Sequence, residues 1–368
     1  MTQSSPPPPF SYTYSPNIPE ILLGLQSSLA VSTYQTGKVV LFSPKDKDAL
    51  VQLPRNFARP MGMAVKSNVL AIALKSEILI TANAPGLAKD YPANPGVYDA
   101  FYVPRTSFYT GNLDLHDLAW TDKGLVAVNT AFSCLSGISH QFSFEPIWKP
   151  PFITELIPED RCHLNGIAVK EGQVKYVTML GTGNTGRSWK EGMLNSGMLM
   201  DVTTNEIILE NLPTPHSPRW YNDGLYMLLS ATGQLVKVDV EHKKYEVITQ
   251  LKGFLRGMDR IGDYLFIAMS KLRQNSSLFK EAPVAKDALI CGISVVYLPT
   301  GNQVGYINYN TTVDELFEVK VLPNTLRPNI LNIDKGIHEN TVVTKEKVFW
   351  QVEQQEEQEK KYIPKKRY

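Results

Sequence analysis

The chain predicts an all-β fold, a six-bladed β-propeller closed between its N- and C-terminal strands. Three observations carry this. Short β-branched and aromatic runs recur, separated by Gly, Asn and Asp turns. Helical periodicity is nearly absent. One strand, turn, strand unit repeats at blade-length intervals: Gly62, Asp117, Gly166, Pro218, Gly257 and Glu318 stand at equivalent positions, 55, 49, 52, 39 and 61 residues apart.

The units run in order as MGMAVKSNVLAIAL from Met61, HDLAWTDKGLVAVNT from His116, NGIAVKEGQVKYVTM from Asn165, SPRWYNDGLYMLLS from Ser217 and RGMDRIGDYLFIAMS from Arg256. Further strand pairs, such as GMLMDVTTNEIILENL and GQLVKVDVEHKKYEVITQL, bring each sheet to four antiparallel strands, the propeller blade. The sixth element, ELFEVKVLP from Glu315, supplies a first strand without a second. SLAVSTYQTGKVVLFSP from Ser28 supplies a second and third without a first. Joining them closes the ring and removes an exposed edge.

Outside the propeller, assigned to residues 19–335, composition predicts a disordered Pro-rich arm over 1–18 and a charged tail over 336–368, with Glu353 to Tyr368 almost devoid of apolar residues. Loops from Asn83 to Asn112 and from Gln274 to Ala288 are too long for hairpins and are expected to cover one face.

With 37 Lys+Arg against 36 Asp+Glu in 368 residues, the formal net charge is +1, which argues against nucleic acid or a membrane surface as the partner. The three cysteines, Cys134, Cys162 and Cys291, are too few and too scattered for a disulfide framework. With no signal-peptide pattern and no long apolar run, a cytoplasmic protein is expected.

First strands line a propeller's channel, so residues at their entrances converge. Those entrances read Met61; Asp114 and His116; His163 and Asn165; His216 and Ser217; Arg256; Glu315. Three of the six histidines fall on this ring, from successive blades. His116, His163 and His216 are candidate ligands for a divalent metal of unassigned identity and, with Asn165 and Arg256, candidate catalytic residues. Asp114, Asn165 or Glu315 would complete the shell or orient an imidazole. A metal-free ligand site and hydrogen-bonded structural histidines are the competing readings.

The second strands end at the same rim in polar residues: Gln35 and Lys38, Asn129 and Thr130, Ser230, and Lys271 with Arg273. With Arg219, Ser217 and Glu315, these make a candidate binding rim for an anionic group. GTGNTG, from Gly181 to Gly186, matches a dinucleotide fingerprint, but no helix or parallel βαβ unit follows it, so it reads as a blade loop. The cysteines near candidate histidines read as buried apolar side chains.

The strings STYQTGK, LDLHDLAW, VNTAFSCL, FEPIWKPPFI, PEDRCHLNGIAV, PHSPRW, GFLRGMD, SKLR and ELFEVKVLP, running from about Leu22 to about Pro328, resemble a bacterial family of conserved hypothetical propeller-type proteins. Some of its members carry a tetratricopeptide-repeat label. The resemblance covers Gln35, Gly37, Lys38, His116, Asp117, Asn129, Thr130, Cys134, Glu159, Asp160, Arg161, His163, Asn165, His216, Ser217, Arg219, Arg256 and Gly257. SATG and SKLR stand where the family has SGTG and SKPR, and neither change removes a reactive group. The resemblance implies a fold and no settled activity.

Two functions follow as expectations. One is a hydrolase of lactonase-like or other metal-assisted type, taking a small molecule or peptide with an anionic group at the axial mouth. The other is a noncatalytic ligand- or protein-binding scaffold, which would need apolar anchors on its rim in place of convergent titratable groups.

Overall fold

The computed structural model describes residues 7–272, 279, 281–286 and 289–351. Six four-stranded antiparallel units form the ring. Blade one joins the chain ends: Glu318–Pro323 is its innermost strand, followed outward by Ser27–Thr33, Lys38–Pro44 and Leu50–Asn56. Ser27 pairs with Pro323 and Ser32 with Glu318, the closure that the split repeat anticipates. The innermost strands of blades two to six are Met63–Lys66, Leu115–Thr121, Gly166–Lys170, Pro215–Tyr221 and Phe254–Ile261.

Inner and middle strands are buried on both faces. Each strand sends alternate side chains to its two neighbours. In blade one, Leu29 and Val31 pack with Phe266 and Ile293 of blade six, whereas Ala30 packs with Met63 and Leu70 of blade two. The apolar core is therefore six wedges between blades.

The blades are also latched near the axis. Hydroxyls at the ends of second strands donate to carbonyls at the entrance of the next blade's inner strand: Ser32 to Met61 (2.6 Å), Thr130 to Leu164 (2.6 Å), Ser230 to Leu255 (2.6 Å) and Ser270 to Leu316 (2.9 Å). Asn165 Nδ2 bridges blades four and five through Pro215 O at 3.0 Å. The aligned positions of the repeat alternate small and large for a steric reason. A Cβ on Gly62 would lie 2.8 Å from Asp117 Cα, one on Gly166 2.5 Å from Pro218 Cδ, and one on Gly257 2.5 Å from Glu318 Cα.

The chain departs from the composition-based boundaries at both ends. Within the segment read as a disordered arm, Tyr12–Tyr14 adds a fifth strand to blade six, and Phe10 and Tyr12 pack on Tyr309 and Phe42. Aromatic residues among the prolines supply the burial that composition alone hides. Within the segment read as a charged tail, Thr341–Val343 and Val348–Trp350 form a hairpin whose Trp350 packs on Tyr91 and Phe101. Met1 to Pro6 and residues 352–368, which include Glu353 to Tyr368, lie outside the described residues.

The Asn83 to Asn112 segment is also only partly a loop. Ala100–Tyr109 is the fourth strand of blade two, with Pro328–Ile330 added in parallel outside it. Most of Gln274 to Ala288, and Arg273, fall outside the described residues. Among the described residues, no helix is long and apolar enough to cross a membrane.

Candidate functional site: the axial mouth

At one end of the axis, the inner strands bring His116, Asn165, His216 and Arg256 to equivalent positions, with His163 and Asp114 two residues upstream of the first strand layer. The His116 and His163 rings stand edge to face, centroids 4.8 Å apart. His216 Nε2 lies 3.3 Å from Arg256 Nη1.

Counting protons assigns the tautomers. Thr130 Oγ1 donates its single hydrogen to Leu164 O, so at 2.8 Å from His116 Nδ1 it accepts. The Nδ1–H of His116 also faces Asp114 O at 2.9 Å. His216 repeats the pattern: Ser230 Oγ donates to Leu255 O and accepts from Nδ1–H at 2.9 Å. In His163 the orienting group is a carboxylate, with Nδ1 3.0 and 3.1 Å from the two oxygens of Asp160. Trp189 Nε1 donates to that carboxylate at 3.0 Å, and its ring lies against His163 with centroids 4.2 Å apart. All three imidazoles thus have Nδ1 tied back, and in His116 and His216 the proton count leaves Nε2 with its lone pair.

Electrostatics keep two of these rings neutral. Burial pulls His116 down to about 4, against the help of Asp114 and with the opposition of His163 and Arg256. Burial and the Arg256 guanidinium push His216 well below its ordinary value. Arg256 is lowered by burial, while Glu315 and Asp114 hold it up. Its guanidinium is flanked by Phe254 and Phe317 at 5.0 and 5.5 Å. Among the described residues its Nε has no partner, and His216 Nε2 is the hydrogen-bond partner of the guanidinium.

The backbone here is unusual as well. Asp114, Asp160, His163 and Ser217 hold left-handed conformations, with φ of 54, 50, 50 and 48°. Such residues cost roughly 1 kcal/mol or more each and gather where the surroundings dictate geometry, often at functional sites. Ser217 Oγ donates to Arg256 O at 2.7 Å and so positions the arginine's backbone.

Other expected rim residues are elsewhere. Arg219 does not join the imidazoles. The register shift between His216 and Arg219 carries it down the channel, where Nη1 and Nη2 fork onto Asp117 at 2.7 and 3.1 Å and Nη2 reaches Glu318 at 2.9 Å. Lys38 is engaged by Asn56 Oδ1, and Gln35 is exposed in the turn before it. Asn129 is fully buried and its Oδ1 accepts from Phe132 N at 3.1 Å, which makes it a turn cap. Glu315 is 5% exposed and close enough to raise Arg256. Asp160, the orienting carboxylate, is signalled in sequence by its place three residues before His163. Trp189 comes from the loop after Gly181–Gly186 and carries no such signal.

The three cysteines are free and buried. Burial pushes Cys134 and Cys162 up to about 12, which leaves them protonated and unfit as nucleophiles. Among the described residues, no three His, Cys, Asp or Glu side chains stand in an arrangement that could hold a metal ion. A cavity of about 520 Å³, lined by Arg59, Asp114, Asp160 and Arg187, adjoins the mouth. Arg59 Nη2 is 2.9 Å from Asp114 Oδ1.

A family described as "Domain of unknown function (DUF4915)" matches residues 16–331. No curated protein matches the chain significantly. Among solved structures, one titled "Crystal structure of Nidogen/Laminin Complex" is similar with a TM-score of 0.51 and 10% identity, covering 81% of this chain and 99% of that one. At that identity, the likeness is one of fold.

Proposed function

The chain belongs to the family described as a domain of unknown function, and for this member we propose an axial-mouth site that binds a small molecule or peptide through an anionic group. Arg256 is the anchor. One observation carries the reading: a partly buried guanidinium that donates to an imidazole nitrogen, with a buried Nε that has no partner among the described residues. Desolvating a cation is costly, and an incoming anion that takes the open Nε–H lowers that cost.

The chemistry such a site supports is general-base catalysis at a carbonyl. His163, oriented by Asp160, has the arrangement of a base held by a third group. Neutral His116 keeps an Nε2 acceptor for a water or substrate hydroxyl, while His216 Nε2 accepts from Arg256. A divalent metal at His116, His163 and His216 is the second reading: the tied-back Nδ1 atoms speak for it, since metal-ligating imidazoles are usually held so, and the placing of the three side chains, which do not form a metal-holding group among the described residues, speaks against it. Against a scaffold role, the polar groups here are buried at the axis and not displayed as apolar anchors on the rim.

Calorimetry with succinate and with inorganic phosphate tests the anchor. Saturable binding of at least one is expected, lost in Arg256→Gln. Binding of neither, or binding that survives the substitution, would overturn the proposal. Elemental analysis of untagged protein decides the metal reading: stoichiometric metal that falls in His163→Ala supports it, and absence of metal removes it. An ester and lactone panel then reads catalysis, with His163→Ala expected to cost about 10²-fold or more if His163 is the base.

A further inference from the structure

The channel does not pass through the molecule. Arg219 reaches across from blade five to Asp117 of blade three and Glu318 of blade one, and this buried trio blocks the axis. On the far side, the inner strands of all six blades enclose a second cavity of about 320 Å³. That is the small end of the range for ligand pockets and suits a molecule of amino-acid size.

The cavity has two unlike walls. Blades two, three and four present Val65, Leu118 and Ile167, which are aliphatic. Blades five, six and one present Tyr221, Asp259 and Lys320, with Arg219 as the floor. Hydrogen bonding on the polar wall is incomplete. Tyr221 Oη and Arg219 Nε are buried without a partner among the described residues. Each Asp259 oxygen accepts one backbone N–H, from Arg260 at 3.0 Å and Val321 at 2.8 Å, which leaves lone pairs free. Lys320 Nζ approaches Glu318 only at 3.5 Å.

We propose that this opposite mouth binds a small zwitterion of free α-amino-acid chemistry with an aliphatic side chain. The carboxylate takes the donors of Arg219 Nε, Tyr221 and Lys320, the ammonium takes Asp259, and the side chain lies on the Val65, Leu118 and Ile167 wall. A plain anion would face the Asp259 carboxylate, and a plain amine would face Lys320 and Arg219. Only a molecule with both charges meets complementary groups on both counts. The site is separate from the imidazole mouth and stands or falls independently of it.

Calorimetry on the full chain with L-leucine, 4-methylpentanoate and 3-methylbutylamine tests this. L-Leucine is expected to bind one to one, and each analogue lacking one charge to bind at least about tenfold more weakly. Asp259→Asn should weaken leucine by about tenfold or more. Tyr221→Phe removes a hydroxyl that has no partner among the described residues, so it should weaken leucine while leaving the melting temperature unchanged. The proposal is overturned if L-leucine, L-isoleucine and L-valine all give no heat, which would leave a cavity for water alone. It is equally overturned if either analogue matches leucine, or if leucine binding is unaltered in both variants.

Discussion

His116 and His216 are neutral because the fold withholds water from them, and this gives the protein a pH signature. In the unfolded chain each has an ordinary value near 6.5, so below that pH the unfolded state binds more protons than the folded one. Stability is therefore lost as the pH falls from about 6.5 toward about 4 for His116, at up to about 1.4 kcal/mol per pH unit for each such group. Glu318 works in the opposite sense. Burial raises it to about 7, against the pull of Lys320 and Arg219, so its contribution is present at low pH and lost as the pH rises through 7. Comparing His116→Asn with the natural chain isolates the histidine, because asparagine occupies the equivalent place at Asn165. Thermal unfolding across pH 4 to 7 should show a shallower acid loss in the variant, and an unchanged slope would refute the neutral-imidazole assignment. The three histidines were legible in sequence because each stands at or just before the start of an inner strand of the repeat. Arg219 was misjudged because it lies beyond a bulge that sequence does not announce, and a one-residue slip in a strand reverses the direction of a side chain.

Between neighbouring blades, the latching hydroxyls are expected to matter more than their size suggests. Ser270 donates to Leu316 O and accepts from Leu316 N at 3.1 Å, so Ser270→Ala strands two buried backbone groups. A loss of about 1–3 kcal/mol is expected by chemical denaturation. Gly257→Ala meets the Glu318 carboxylate and also the backbone of Glu318 and Val319 at 2.5 and 2.8 Å, and the backbone cannot swing aside as a side chain can. It should cost a similar about 1–3 kcal/mol through overpacking. If Gly257→Ala is as stable as the parent, the blades are not as closely seated as described. The C-terminal hairpin is a satellite by comparison. Trp350 Nε1 donates to Leu87 O at 3.0 Å and packs on Tyr91 and Phe101, all on the flank of blade two. In Trp350→Ala, hydrogen exchange should quicken in residues 85–91 and 337–350 while the inner strands keep their protection. Blade units and their order could be read from turn residues and strand runs. These satellites could not, since a few aromatic contacts decide them within segments whose composition is polar.

At the scale of the whole ring, closure rests on one strand pair contributed by the two chain ends, a feature legible in the split repeat. A chain ending at Phe317 would leave the Ser27–Thr33 strand as an open edge. Such a truncation is expected to aggregate on size-exclusion chromatography, whereas one ending at Leu326 retains the pairing and should stay monodisperse. The register of that pair also sets how the molecule would yield to force. Ser27 lies opposite Pro323, so both ends of the chain leave from the same end of the closing pair. A pull on the termini would peel its hydrogen bonds one after another, not load them together in shear. Before the tug reaches them, however, it must strip Tyr12–Tyr14 from one flanking blade and Pro328–Ile330 from the other. The wheel is thus fastened like a buckle whose two straps are tucked under the panels on either side.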